Sequence, residues 1–221
     1  MVRWCLLRGD DEPHRDVDLL VHPADLAALR AQLRRSGFAE LRAWGRWPHR
    51  FFVRPELKLD VVTALAFGPH ATLRTDAAEA VLERRVDARP APPDAFWALL
   101  LHVLLDRGAV RASQSRELEA LAPAARDSAS PLRPYVEAAC PRGWDAARIA
   151  DAAAAGHFQE LLGLGPELRA RWPGTSPVAG AARAWLRGGL RLASRRLPPR
   201  APAQQRGAIA SNSAARSTGY G

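Results

Sequence analysis

A chain of 221 residues, 48% hydrophobic and 25% charged, is long enough for one substantial core, and its composition excludes a disordered or fibrous protein. No apolar N-terminal run follows a basic stretch, and the most apolar segment, Phe96 to Leu105, is short and contains His102, so the sequence reads as cytoplasmic, without secretory signal or membrane span. The net charge of +9 is unevenly spread: ten of the 32 basic residues follow Glu167 and no acid does, leaving 22 against 23 acids up to and including it, so the basic excess belongs to the C-terminus and does not make the body a nucleic-acid binder.

Taken in chain order, Val2 to Leu7 reads as a short buried strand, stopped by Arg8-Gly9 and a charged loop from Asp10 to Arg15. Asp16 to Val21 begins with polar and apolar residues alternating and ends wholly apolar, as an inner strand does. Pro23 suits a first helical turn, Leu26, Leu29 and Leu33 follow at helical spacing, and Gly37 is a natural stop. Phe38 to Ala43, Arg50 to Val53 and Leu57 to Thr63 read as three further strands. Asp76 to Val86 looks helical, and residues 89–93 are a stiff Pro-rich connector. From Asp94 the pattern is helical, with Phe96, Leu99, Leu100, Val103 and Leu104 forming an apolar stripe that ends at Gly108. Weaker helices are expected over Ser115 to Ala125, Leu132 to Ala139, Trp144 to Ala154 and His157 to Leu162. Pro166 to Pro177 breaks the pattern before a last helix from about Val178 to Leu197 and a Pro-, Gln- and Ser-rich end. Cys5 and Cys140 have no ligand pattern around them and read as buried, reduced thiols.

The informative constellation is acidic. Residues two apart on a strand share a face, so Asp16 and Asp18 are expected to present both carboxylates to one ion. Mg²⁺ is usually held by one or two carboxylates together with substrate phosphates. Asp60 interrupts the apolar strand Leu57 to Val62, where a charge is costly unless it is paired or coordinated. If that strand lies beside the first pair, three acids converge on a site for up to two metal ions, one activating the attacking oxygen and one steadying the leaving phosphate. Read blandly, the same residues are a solvated strand edge and a salt-bridged strand acid.

In these positions the sequence resembles the DNA polymerase beta superfamily of nucleotidyltransferases. Its members carry a strand ending in Gly, a loop, an acid-x-acid strand and a third acid on a later strand; here these are Gly9, Asp16 with Asp18, and Asp60. The likeness is closest to an uncharacterised bacterial nucleotidyltransferase family, through Leu6-Leu-Arg-Gly-Asp10 and Leu99-Leu-Leu-His-Val-Leu-Leu-Asp-Arg-Gly108. It covers roughly residues 1–110. The superfamily usually has Gly or Ser after the first Gly, whereas Asp10 stands here; Arg8, His14 and Arg15 are placed to offset its charge.

The resemblance implies an α+β protein with a small mixed sheet as its nucleotidyltransferase core (1–90). A helical domain (91–165), a linker with a basic amphipathic helix (166–197) and a loose basic tail (198–221) follow. It implies transfer of a nucleoside monophosphate from an NTP such as ATP to a hydroxyl acceptor, with Asp16, Asp18 and Asp60 holding Mg²⁺. Asp60 would also assist as base, and Arg8, Gly9 and Arg15 would contact the nucleotide. The alternative is a catalytically inactive module of the same fold, serving as a binding or scaffold unit.

Other features carry less. His102 suits an acceptor pocket or the edge of a core, Arg50 a phosphate or solvent, and Trp44 and Trp47 a base or an exposed core edge. Arg183, Arg187, Arg191 and Arg195 line one face of the last helix, which suits an anionic membrane, nucleic-acid phosphates or packing on the body. Residues 206–218 approximate a phosphate-binding loop, but Ala210 and Ala215 stand where its glycines are needed.

Overall fold

The structure, a computed structural model, describes residues 1–8, 16–41 and 48–174. Gly9, Asp10, His14, Arg15, Trp44, Trp47, the basic helix and the tail lie outside the described residues. The architecture is mixed α and β: a five-stranded mixed sheet, a two-stranded hairpin and, among the described residues, seven α-helices.

The sheet consists of β1 (Trp4–Arg8), β2 (Asp16–Val21), β3 (Ala39–Glu40), β4 (His49–Arg54) and β5 (Leu57–Val62), in the order β1-β2-β5-β4-β3. Only β2 and β5 run parallel; the other neighbours are antiparallel. A parallel neighbour needs a crossover, and α1 (Leu26–Arg35) is its helix. Pro23 opens a 3-10 turn before α1. Gly37, at φ +81°, lets the chain reverse while the Phe38 amide donates to the Leu33 carbonyl at 2.9 Å, the left-handed stop expected of it. The strand expected over Phe38 to Ala43 forms at Ala39–Glu40 among the described residues.

Alternation divides the sheet into two faces. Val21, Phe52, Leu59 and Val61 pack with Leu29 and Leu33 of α1 and with Phe38 in a satellite core. Cys5, Leu20 and Val62, on the other face, join the main core, which continues through the helical half. That half comprises α2 (Ala78–Glu83), α3 (Pro92–Leu101), α4 (Ala112–Asp127), α5 (Arg133–Ala139), α6 (Ala146–Ala154) and α7 (Phe158–Arg171). Phe96, Trp97, Leu100 and Leu101 are all essentially inaccessible, so α3 is buried on more than one side, as a central helix must be, with Asp94 its one buried acid.

Three features depart from the pattern read in the sequence. The short hairpin β6 (Ala66–Phe67) and β7 (Leu73–Arg74) was not expected; two-residue strands carry no readable alternation. After Leu101 the chain leaves α geometry for a π-helical turn, His102–Arg107, ended by Gly108 at φ +65°. The break expected at Pro166 does not occur, because α7 continues to Arg171. Packing overrides the proline here. A Cβ at Gly165 would lie 2.5 Å from the Leu104 carbonyl, so α7 rests directly on the π turn. Arg169 then donates from Nε to the Leu105 carbonyl at 3.1 Å and from Nη2 to that of Leu104 at 3.0 Å.

Cys5 and Cys140 are free. Burial pushes their thiols up, to about 12 and about 11, which leaves both unreactive. Among the described residues no helix is long and apolar enough to cross a membrane.

Candidate functional site

The site is built on the face of the sheet that the helices cover only in part. Leu20 and Val62 are buried against the helical core. Two residues back along the same strands, and therefore on the same face, stand Asp18 and Asp60. They are register partners across the parallel β2–β5 pair, so their carboxylates are neighbours. Both are largely covered, with side chains 20% and 19% exposed. Asp16 opens β2 in register with Lys58, and only its backbone is described.

Each carboxylate has a basic partner from a flanking strand. Arg8 ends β1, and its Nη2 lies 2.5 Å from Asp18 Oδ2. An irregularity between Leu6 and Arg8 makes this possible: Leu6 pairs with Leu19, yet Arg8 pairs with Asp18 rather than Val17. The extra residue turns Arg8 onto the acidic face, a common use of a bulge beside a functional site. On the other side, the Nδ1–H of His49 donates to Asp60, 2.9 Å from Oδ2 and 3.0 Å from Oδ1. Phe51 pairs directly with Asp60 in register. Its ring stacks on His49 at 6.1 Å, and Lys58 Nζ sits 5.3 Å from its centre.

The electrostatics of the pair are unbalanced. Burial pushes the Asp18 carboxyl above its ordinary value, and the adjacent Asp60 charge pushes the same way; Arg8 and His102 oppose both without prevailing. His49 moves upward too. Burial disfavours its charge, but the hydrogen bond to Asp60 and the charges of Asp60, Asp18 and Asp106 outweigh that. Burial and the neighbouring Asp60 charge thus make added positive charge beside Asp18 favourable.

The helical half contributes a second pair. His102 opens the π turn, and its Nδ1 lies 2.8 Å from Asp106 Oδ2. Arg107 Nε approaches the other ring nitrogen at 3.3 Å. His102 acts electrostatically on Asp18, and Asp106 on His49, so this pair borders the carboxylates.

Of the residues singled out in the sequence, Asp18, Asp60, Arg8 and His102 come together. Arg50 does not: it pairs with Val61, on the opposite face from Asp60, and its side chain donates to the His49 carbonyl at 3.0 Å. His49 and Asp106 were missed. Starting β4 one residue earlier would have placed His49 on the face of Phe51 and Asp60, and Asp106 follows His102 by one helical turn.

Hard carboxylate oxygens suit Mg²⁺. Among the described residues, however, no three His, Cys, Asp or Glu side chains form a metal-holding group. No protein-family model matches the chain, and no curated protein matches it.

Proposed function

We propose that the chain is a metal-dependent nucleotidyltransferase, related to the DNA polymerase beta superfamily, that moves a nucleoside monophosphate from an NTP to a hydroxyl acceptor in the cytoplasm. One observation carries the reading. Asp18 and Asp60 stand side by side on parallel strands, in an environment that disfavours the ionised form of Asp18. Such a pair is costly to maintain for the fold alone and useful to a cation. Asp18 and Asp60, with Asp16 assigned from sequence, would hold Mg²⁺. When bound, the metal supplies positive charge to the phosphates and lowers the pKa of a coordinated hydroxyl.

The chain's own groups have distinct tasks in this reading. Arg8 neutralises Asp18 in the resting protein and is released to meet phosphate when a cation takes its place. His49 holds Asp60 in one orientation through two short contacts. Asp60 would assist loss of the hydroxyl proton through the cation it would hold. Gly9 and Arg15, outside the described residues, keep the phosphate-contacting roles that the resemblance implies. The helical half, through His102 and Asp106, forms the acceptor side.

A second reading has its own support: each carboxylate already has a basic partner, as in a catalytically silent module of this fold. Such a module would bind an anionic partner, nucleic acid or membrane, through the basic C-terminal helix. Thermal unfolding separates the two. With Mg²⁺ and the correct triphosphate near a hundred times its Kd, the enzyme gains about 2.7 kcal/mol, or roughly 5–10 °C in Tm. Asp18→Asn should abolish the gain, and so should omitting metal. No shift with ATP, GTP, CTP or UTP would favour the silent module.

A further inference from the structure

The nucleotidyltransferase reading leaves open where the acceptor's proton finally goes. Asp60 is poorly free to keep it: both of its oxygens face His49 Nδ1, at 3.0 and 2.9 Å, and the cation would claim them as well. Asp18 is engaged by Arg8. His102 is differently placed. Its Nδ1 lies 2.8 Å from Asp106 Oδ2, and Arg107 Nε donates toward its Nε2 at 3.3 Å. A nitrogen that accepts from an arginine carries a lone pair, so the proton of the neutral ring sits on Nδ1 and points at the carboxylate. This is the arrangement of an oriented base: an acid fixes the tautomer and a nitrogen lone pair faces outward. The Arg107 contact is long for a hydrogen bond and readily exchanged.

The backbone is built to hold this ring in place. His102 begins the π-helical turn, a geometry that concentrates at functional sites because it displaces side chains from the regular helical track. The turn is braced from behind by the close approach of Gly165 to the Leu104 carbonyl and by Arg169 on the carbonyls of Leu104 and Leu105. The neighbouring Val103, Leu104 and Leu105 are buried, while the His102 side chain keeps 15% of its surface exposed. It borders Asp18 closely enough to bear on that carboxyl's ionisation.

We propose that His102, oriented by Asp106, is the general base that accepts the proton of the acceptor hydroxyl. The inference rests on the nucleotidyltransferase reading and refines it. The hydroxyl proton passes to His102 Nε2. The electron pair left on oxygen forms the new bond to the α-phosphorus. The bond from that phosphorus to its bridging oxygen breaks, and the pair departs with pyrophosphate. Asp106 steadies the imidazolium, and Arg107 swings away to the phosphates.

The test uses the full chain with Mg²⁺ and each of the four NTPs. Pyrophosphate release is measured with water and with a panel of polyol and amino-sugar acceptors, beside the triphosphate-induced change in Tm. His102→Gln should keep the thermal gain, which also reports that the variant is folded, and lose at least about 100-fold in release. Asp106→Asn should lose roughly tenfold, and added imidazole should restore part of the rate to His102→Ala. Release unchanged in His102→Gln but abolished in Asp18→Asn would overturn the role of His102 and leave the transferase reading intact. Thermal gain without release from the unsubstituted chain, whatever the acceptor, would also overturn that role. Neither gain nor release from the unsubstituted chain would defeat both.

Discussion

Glu40, Asp94 and the pair Asp18 and Asp60 are covered carboxylates, and they are accommodated differently. Glu40, 5% exposed, lies 2.8 Å from Arg30 and 3.4 Å from Arg34: one acid of the outer strand β3 with two arginines of α1. Asp94 is fully buried and meets Arg84 Nε at 3.0 Å, while Arg84 Nη2 donates to the Ala129 carbonyl at 2.6 Å. Among the described residues, Asp18 meets Arg8 and Asp60 meets His49. At the first two places the cations match or exceed the acids. At the third, burial raises the Asp18 carboxyl, and the neighbouring Asp60 charge adds to it against the opposing pull of Arg8. The contrast is between acids matched by arginines and a pair of adjacent acids in which burial disfavours the charge of one.

The largest break in this contrast comes from the matched sites. Arg84→Ala would leave Asp94 buried without its counter-charge, with Oδ1 already unpartnered. We expect a loss of about 3 kcal/mol or more in unfolding free energy by urea titration. A loss under 1 kcal/mol would mean that Asp94 is protonated or hydrated and that its match to Arg84 is incidental. Glu40→Gln should cost less, about 1 kcal/mol, because charge-assisted bonds become neutral ones while the half-exposed Arg34 guanidinium keeps its access to water. Added salt should shrink that difference.

Much of this architecture was legible in the sequence, for identifiable reasons. The apolar ends of β2 and β5, with Asp18 and Asp60 before them on one face, made the strands and their faces readable from period-2 alternation. Gly37 and Gly108 marked real helix ends because both residues adopt positive φ. What stayed hidden depended on partners distant along the chain. The bulge before Arg8 is a property of its pairing with β2, and α7 continues through Pro166 because Gly165 and Arg169 lock it onto the π turn. The π turn leaves no mark on the pattern, since Val103 to Leu105 are apolar in either helix type. His49 was lost to a one-residue strand boundary, and with it the partner of Asp60.

The smallest expected effect has the opposite sign and sharpens the comparison most. For Asp18 the folded-state pKa lies above 3.8, so the fold binds this proton more tightly than the unfolded chain does. Its contribution to stability is therefore present below 3.8 and is lost as pH rises through the folded value. His49, raised above 6.5, acts likewise: its contribution is full below 6.5 and falls away as pH rises through its own folded value. Near pH 7.5 the ionised Asp18 is thus a burden on the metal-free protein. Asp18→Asn removes that burden along with the Arg8 ion pair, and we expect Tm to rise by about 1–3 °C. The gain should shrink as pH approaches 4, where the native residue takes up its proton. Mg²⁺ should raise the Tm of the native protein and leave that of the variant nearly unchanged. A drop in Tm on substitution at pH 7.5 would place Asp18 with Glu40 and Asp94, as an acid whose work ends with holding strands together.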